Sequence, residues 1–506
     1  MPKQPNILLI QCDQMTAHLT GVYGHPVVQT PSLNRLAEQG VRFNNAYSPC
    51  PVCVPARSAI MTGRYISRTG CYDNGCMFPS NMPTICHYLS IAGYETIVAG
   101  KMHFIGPDQL HGFERRLTTD FHPSDLSFLP PRPHEGLKED AGFHDQPIAI
   151  NYVTAGPRQW NIEMAYDDEV HFRALEYLAS KRSDYRGSPQ RDYPARDERP
   201  FFLSVSYTYP HEPFYPTQEL WDLYEEMEIE LPSIPKELAD FEHPMDKMLN
   251  RFHGTHRVDL EDPGALYRMR RAYFALVTLV DRKVGELMQA IDNFGLSDNT
   301  IVLFISDHGD MLGERQMVQK RTFYEYSTHV PWLLSLPTRW RGGIVVDEPV
   351  SLVDVMPTIL DCAGIAAESI LPIDGRSVIP LIVGRREPER AVFSEMHSEG
   401  VTTTAFMVRQ RNYKYIHVTG YPAQLYDLAE DPGEWRNLAN LPDYQMIKDR
   451  LHALILDHFD PEAIERDVQV SQSHNWLIKE ALESSTGSQW DYQPIFDARR
   501  QYWREG

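Results

Sequence analysis

The chain has 506 residues, enough to bury a large core in one big domain with a smaller one beside it. Its composition is ordinary for a globular protein, with 42% hydrophobic and 23% charged residues. The formal charge of −21 argues against nucleic acid and anionic membrane surfaces as partners.

Short apolar runs alternate with helical patterns along most of the chain. The runs predicted as buried strands are Ile7–Ile10, Thr96–Val98, Phe201–Val205, Ile301–Ile305 and Trp332–Leu334. The predicted helices include Ser32–Gln39, Pro83–Ala92 and a long one from about Ala265 to Phe294. This alternation predicts an α/β fold with a large, mostly parallel central sheet flanked by helices. Ligands of such sheets bind beyond the carboxyl ends of the strands.

Three regions depart from this rhythm. Phe121–Pro157 is rich in Pro, His and Asp and reads as a long excursion over the sheet that lines a pocket, whereas Ser180–Pro200 reads as a surface loop. From about Arg390, short strand patterns predict an antiparallel sheet. We therefore expect a catalytic domain at residues 1–385 and a smaller α+β domain at residues 386–506. Its extended tail, from about residue 468, is expected to make oligomer contacts.

The sequence also indicates a compartment. Seven cysteines without a framework spacing are typical of reducing conditions. The first apolar run is too short for a signal peptide, and the sequence contains no run of the roughly 18 apolar residues that a membrane helix needs. We expect a soluble, cytoplasmic protein.

The motif from Cys53 to Arg57, followed by Thr62-Gly63-Arg64, resembles the signature that directs oxidation of cysteine to formylglycine in type I sulfatases. The resemblance implies a hydrated aldehyde with one hydroxyl that attacks sulfur and another that later expels sulfate. Cys50 and Cys53 also form a C-x-x-C, which suits a redox pair or half of a zinc site. A tetrahedral zinc site needs a second ligand pair, and the other cysteines form no further C-x-x-C.

Acidic and imidazole side chains follow two of the predicted strands directly. Asp13 comes after the first strand, and Asp307 and His308 come after Ile301–Ile305. Alone, Asp13 could equally be the N-cap of a following helix. Two strand ends with such ligands favour a divalent cation, and mostly oxygen donors favour Ca²⁺, Mg²⁺ or Mn²⁺ over zinc.

Cationic and imidazole groups also gather near predicted strand ends. Each one alone could be a surface cation or a structural histidine. Together they suit an ester whose oxygens gain charge and whose leaving alcohol needs a proton. The candidates are Arg57, Lys101, His103, His211 and Lys320.

Over nearly its full length the chain resembles the type I sulfatases of the alkaline-phosphatase-like superfamily. The resemblance implies that Arg57 and Lys101 hold the formylglycine, that His103 assists expulsion of sulfate, and that His211 and Lys320 serve the sulfate oxygens and the leaving group. It implies one divalent cation, most simply Ca²⁺ with Mn²⁺ or Mg²⁺ as alternatives. The implied metal ligands are Asp13, Gln14, Cys53 (as formylglycine), Asp307 and His308.

Two of these positions depart from the commoner sulfatase pattern. Gln14 stands where a second aspartate is usual, and His308 where asparagine is usual. Both departures resemble choline sulfatases and the related phosphonate monoester hydrolases. They leave open whether the substrate is a sulfate ester or a phosphonate ester.

Longer stretches, such as residues 100–103, 106–114 and 309–315, are similar to choline sulfatases almost word for word. A quaternary ammonium requires aromatic faces and a carboxylate. By the resemblance, Trp490 and Asp491 of the tail complete a neighbouring subunit's pocket, and Phe128, His144 and Glu399 are further pocket candidates. The alternative is that the tail is only an oligomer contact.

The sequence therefore predicts a sulfuric ester hydrolase with a formylglycine nucleophile, acting on choline-O-sulfate. A phosphonate monoester or phosphodiester hydrolase and a broad arylsulfatase are the nearest alternatives. A non-catalytic redox or metal-binding protein using Cys50 and Cys53 is the alternative of another class. The expected partners are a small sulfate ester, a formylglycine-generating maturation enzyme and further copies of this chain, as a dimer or tetramer with exchanged tails.

Overall fold

The computed structural model describes residues 4–130, 148–182, 197–236, 242–336, 339–340 and 342–484. Its strands, in chain order, are β1 Asn6–Cys12, β2 Val41–Phe43, β3 Ala46–Tyr47, β4 Glu95–Gly100, β5 Arg115–Arg116, β6 Phe201–Ser206, β7 Thr300–Ser306, β8 Trp332–Ser335, β9 Ile344–Val346, β10 Val350–Ser351, β11 Ala391–Met396, β12 Ala405–Gln410, β13 Tyr413–Val418 and β14 Gln424–Asp427. Eight of them form a central sheet in the order β5-β4-β6-β1-β7-β8-β2-β9. The large sheet predicted from the sequence is confirmed.

The central sheet is mostly parallel. β1 lies in its middle and pairs in parallel with both β6 and β7. β8 pairs antiparallel with β7 and with β2. All five predicted runs are strands, but a buried apolar run does not reveal its direction, so the reversal at β8 could not be predicted.

Helices cover both faces of the sheet. They are Pro31–Glu38, Cys53–Thr62, Ile66–Thr69, Ile85–Ile91, Ile150–Val153, Ile162–Ser180, Gln218–Asp222, Pro244–His253, Pro263–Asn293, Glu325–Thr328, Val355–Cys362, Ile379–Ile382, Gln445–His458 and Pro461–Ser484. Along β1, Leu8 and Ile10 face the core that contains the long helix Pro263–Asn293, whereas Ile7 and Leu9 face the core of the opposite side. Successive strand side chains point to opposite faces, so a strand covered on both sides must be apolar throughout.

The C-terminal part carries a separate sheet. Strands β11 to β14 pair antiparallel in sequence order, as predicted. Its apolar side chains share a core with the first part of the chain, for example Phe406 and Ile455 with Tyr47 and Phe323. The second sheet therefore packs firmly on the larger one, and the domain boundary at residue 386 stays a prediction.

The predicted tail begins as a helix. Pro461–Ser484 is helical, and it buries Ile464, Val468, Gln472 and Asn475 along one face. Because two of these four side chains are polar, the helical stripe was hidden in the sequence. Residues 485–506, with Trp490 and Asp491, lie outside the described residues. None of the described helices is both long enough and apolar enough to cross a bilayer.

Candidate active site

Parallel strands bring the predicted residues to one edge of the sheet. Asp13 follows β1, Lys101 follows β4 and Asp307 follows β7. The register aligns Cys12 with Ser306 and Gly100 with Ser206, so these strand ends lie side by side. The helix Cys53–Thr62 begins at this edge with Cys53 as its first residue. This register explains why residues that follow separate strands in the sequence lie together at one edge of the sheet.

Four ligand-type side chains converge there: Asp13, Cys53, Asp307 and His308, all buried, with donor atoms within 4.8 Å of one another. The Cys53 thiol lies 3.3 Å from His308 Nε2, which lies 3.6 Å from Asp13 Oδ1 and 3.7 Å from Asp307 Oδ1. His308 Nδ1 donates to the Gly309 carbonyl at 3.1 Å, and this leaves Nε2 as the ring nitrogen that faces the cluster. The donor set fits a divalent cation.

Buried cations balance the two carboxylates. Arg57 bridges them, from Nη2 to Asp13 Oδ2 at 3.2 Å and from Nε to Asp307 Oδ2 at 2.9 Å, and Lys101 Nζ lies 2.6 Å from Asp13 Oδ2. Burial opposes ionisation of Asp13, but Lys101 and its other cationic neighbours hold its pKa well below the usual value. Burial, then the charge of Asp13, raises the pKa of Asp307 to about 6. Two acids this close favour a bound cation between them.

The side-chain amide of Gln14 is fixed by its polar neighbours. Its Nε2 donates to Tyr152 Oη at 3.0 Å, to Glu212 Oε2 at 2.7 Å and to Asp310. Its Oε1 accepts from Lys320 Nζ at 2.5 Å. Because acceptors surround the nitrogen, the amide is held in one orientation, with its oxygen toward Lys320, whose Nζ lies 3.4 Å from Cys53 Sγ.

The Cys53 thiol itself is a poor nucleophile. Burial, followed by the charge of Asp13, raises its pKa to about 11. A reactive cysteine instead has a lowered pKa and some exposure. The thiol shares its surroundings with acids and a histidine, and all seven cysteines are unpaired. These surroundings disfavour a redox pair with Cys50.

His211 and Lys320 form a pair on the other side of the thiol. Lys320 Nζ lies 2.8 Å from His211 Nε2 and 3.4 Å from Cys53 Sγ. His211 Nδ1 donates to the Glu212 carbonyl at 2.7 Å, so Nε2 accepts from Lys320. Burial and then the charge of Lys320 hold the pKa of His211 well below its ordinary value.

His103 also borders the cluster and is oriented by its backbone. The amides of Met102 and His103 both donate to Asp120 Oδ2 at 2.9 Å. The ring stacks on His122 with a centroid distance of 4.2 Å. Both ring nitrogens are buried without a hydrogen-bond partner among the described residues. Such buried polar atoms are expected to meet a ligand or water.

A cavity of about 270 Å³ opens above these groups. Its lining includes Cys53, Lys101, His103, His211 and Lys320. The lining also includes a second group, called the outer pocket below, that consists of Phe121, His122, Phe128, Ile148, Asn151 and Glu163. Both described ends of the predicted 121–157 excursion thus line the pocket, as expected. His144, Trp490 and Asp491 lie outside the described residues.

Glu399 lies just behind the pocket wall. Its carboxylate binds Arg321 Nη2 at 2.6 Å and accepts a hydrogen bond from the Asn74 backbone amide, and both of these partners line the cavity. Its role in substrate binding stays a prediction. No functional role was predicted for Asp120, Glu163 or Asp310, because no spacing pattern marks an acid that is brought in by a loop or by the start of a helix.

A buried acid beside this wall predicts a pH effect on stability. Burial, then the charge of Glu399, raises the pKa of Asp73 to about 7, above the unfolded value of about 3.9. The native carboxyl binds its proton more tightly, so the free energy of unfolding falls as pH rises from about 4 to about 7. Asp73→Asn removes this fall. The thermal midpoint of the variant, measured relative to that of the wild type, should therefore rise between pH 5 and pH 8. The exposed Asp443→Asn is the control, and a parallel pH profile for both variants would contradict the assignment.

Comparison with known proteins decides the family. The family profile described as Sulfatase matches residues 5–365. The chain belongs to the sulfatase family. The chain is 38% identical to a choline-sulfatase of Rhizobium meliloti over 99% of this chain and 96% of that protein. It is 30% identical to an arylsulfatase of Clostridium perfringens over 90% and 95% of the two chains. Profiles described as N-sulphoglucosamine sulphohydrolase, C-terminal, and as Choline sulfatase enzyme C terminal match residues 313–459 and 466–506.

Solved structures agree on the fold. A phosphonate monoester hydrolase of Agrobacterium radiobacter superposes with a TM-score of 0.70 at 22% identity, covering 90% of this sulfatase and 96% of that chain. At that identity the similarity concerns the fold alone. This sulfatase is a sulfuric ester hydrolase, so the alternative of a non-catalytic protein built on Cys50 and Cys53 is wrong. Membership of the family implies a divalent metal and a formylglycine made from cysteine.

Proposed function

We propose that this sulfatase hydrolyses choline-O-sulfate to choline and inorganic sulfate, with Cys53 converted to formylglycine. The observation that carries the proposal is the 38% identity to the Rhizobium meliloti choline-sulfatase over 99% of this chain. The match of residues 466–506 to the choline sulfatase C-terminal profile supports it, because this range contains the tail expected to bind the alcohol.

The cation would be held by Asp13, Gln14, Cys53 in its modified form, Asp307 and His308. Carboxylate and amide oxygens outnumber the single imidazole, which favours Ca²⁺, with Mn²⁺ or Mg²⁺ as alternatives. When bound, the cation supplies Lewis acidity to the sulfate oxygens and to the attacking hydroxyl. The formylglycine supplies that hydroxyl.

The other residues hold the ester and move protons. Arg57 and Lys101 fix the carboxylates and the modified Cys53 at the bottom of the pocket. Lys320 Nζ already donates toward His211 Nε2, so the pair can pass a proton to the departing choline oxygen. His103, whose ring nitrogens have no hydrogen-bond partner in the described part of the chain, would accept the proton of the second hydroxyl when sulfate leaves.

The outer pocket suits an organic cation. Phe121 and Phe128 offer aromatic faces, each worth about 0.5–2 kcal/mol to a quaternary ammonium, and Glu163 offers a carboxylate. In a homo-oligomer with exchanged tails, Trp490 and Asp491 of a neighbouring subunit would complete this pocket. His144 and Glu399 are the further candidates from the same subunit. A formylglycine-generating enzyme is the required maturation partner. The seven unpaired, buried cysteines support a reducing, cytoplasmic location.

Removal of the metal is expected to abolish sulfate release. Asp13 and Asp307 lie together in a buried cluster, and a bound cation would add to the charge of Arg57 and Lys101 in keeping both ionised as ligands. The measurement is choline-O-sulfate turnover after treatment with EDTA and dialysis, followed by separate addition of Ca²⁺, Mn²⁺ and Mg²⁺. Full activity in protein shown by elemental analysis to be metal-free would contradict the metal site.

The substrate is tested by kcat/KM for choline-O-sulfate, 4-nitrophenyl sulfate and a phenylphosphonate ester, on protein produced with a formylglycine-generating enzyme. A preference for choline-O-sulfate by several orders of magnitude is expected. Comparable turnover of the aryl sulfate or the phosphonate would keep the catalytic residues and overturn choline.

The tail provides a sharper test of the same proposal. Removal of the residues after Gln489 should raise KM for choline-O-sulfate far more than KM for 4-nitrophenyl sulfate, because only choline carries the ammonium. The matched control is Trp490→Phe, which keeps an aromatic face. Equal changes for both substrates would show that the tail has a structural role only.

A further inference from the structure

A second group of metal-ligating side chains lies outside the active site. It consists of His18, Glu325 and His329, whose donor atoms lie within 4.8 Å of one another. Glu325 and His329 are buried, and His18 is half-buried. None of the three has a part in the sulfate chemistry described above.

His329 is oriented as a metal-binding imidazole is. Its Nε2 donates to the Asn44 carbonyl at 2.8 Å, so its Nδ1 carries the lone pair. Nδ1 lies 3.3 Å from His18 Nε2 and 3.6 Å from Glu325 Oε2. In metal-binding histidines, a hydrogen bond from the ring nitrogen that does not bind the metal to a carbonyl usually fixes the tautomer.

The spacing of these atoms suits a four-coordinate transition ion. Zinc–nitrogen and zinc–oxygen bonds of about 2.0–2.2 Å in tetrahedral geometry place ligand atoms about 3.3–3.6 Å apart. The two contacts of His329 Nδ1 have that length.

The carboxylate is also held in place. Lys414 Nζ binds Glu325 Oε1 at 2.6 Å, and Tyr47 Oη donates to Oε2 at 3.2 Å. The ammonium offsets part of the negative charge, so the affinity for an ion is expected to be moderate. Glu325 Oε2 is the oxygen that lies 3.6 Å from His329 Nδ1.

We propose that His18 Nε2, Glu325 Oε2 and His329 Nδ1 bind one zinc-type transition ion, with a fourth position open to water at His18. Two imidazoles and one carboxylate form a ligand set that zinc commonly takes. The ion has a structural role. His18 follows Asp13 and Gln14 closely in the chain, and the Ala17 amide donates to the His329 carbonyl at 3.1 Å. The ion would therefore tie the segment that carries two active-site residues to the helix Glu325–Thr328.

The test uses the full-length protein loaded with Ca²⁺ and titrated with Zn²⁺ by calorimetry, with bound zinc counted by elemental analysis. One zinc per chain is expected in the wild type, with a raised thermal midpoint. His18→Asn and His329→Gln should lose both, whereas the exposed His474→Asn should keep both. Co²⁺ should give the visible absorption of a tetrahedral site in the wild type and in His474→Asn only.

Two results would overturn the site. The first is no zinc on the wild type, which would leave an ordinary hydrogen bond between His18 and His329. The second is zinc that persists in His18→Asn but disappears in Cys53→Ala, which would place the ion in the active site. If His329→Gln fails to fold, His18→Asn decides, because His18 is only half-buried, and the thermal midpoint of the zinc-free variant shows whether the loss of its ring contact with Tyr326 disturbs the fold.

Discussion

Cys53→Ala is expected to lower kcat/KM for choline-O-sulfate by about four to six orders of magnitude, the loss usual when a covalent nucleophile is removed. Cys53 lies at the first position of its helix, 2% exposed, between His308 and Lys320. Alanine fits the same helix start, so the thermal midpoint should change little. Retained turnover in the purified variant would exclude Cys53 as the source of the nucleophile.

Two further variants sharpen this result. Cys50→Ala removes the other thiol of the C-x-x-C and should leave turnover close to the wild type, whereas a comparable loss would revive a paired-cysteine mechanism. Cys53→Ser offers one hydroxyl in place of two. It could attack sulfur but could not rebuild an aldehyde, so we expect at most one turnover per chain. Mass spectrometry of the Cys53 peptide from the wild type should show the aldehyde.

The fold was predictable where burial dictates the sequence. Ile7–Ile10 is covered on both faces, and a strand in that position has little choice but to be apolar throughout. The direction of β8 was not predictable, because an apolar run does not indicate whether the strand pairs parallel or antiparallel with its neighbours. The helix Pro461–Ser484 was missed because Gln472 and Asn475 occupy half of its buried stripe, where Gln472 donates to Ser398 Oγ at 2.7 Å.

The candidate site shows the same division. Asp13, Lys101 and Asp307 were predictable because they directly follow buried strands, and parallel strand ends meet at one edge. Asp310 and Glu212 were not, since their contribution is to fix the amide of Gln14, a contact that depends on loop geometry. Glu163 reaches the pocket from the first turn of a helix whose pattern predicts only its own amphipathic packing.

His211→Asn should affect the two substrates differently, according to how much each leaving group needs a proton. Choline is a poor leaving group and needs a proton as the S–O bond breaks, whereas 4-nitrophenolate leaves without one. If the pair of His211 Nε2 and Lys320 Nζ supplies that proton, kcat/KM for choline-O-sulfate should fall by about 10²–10⁴. The loss for 4-nitrophenyl sulfate should be much smaller, and the exposed His474→Asn should change neither.

The alternative role for His211 is to bind sulfate oxygens. In that case both substrates present the same group, and the two losses would be equal. The protonation state of His211 indicates how it would act in the first role. Burial and Lys320 keep the His211 ring neutral in the free enzyme, so His211 acts by relaying a proton from Lys320. Lys320→Ala should then reproduce the leaving-group dependence of His211→Asn, and the double variant should lose little beyond either single one, because both residues serve one proton transfer.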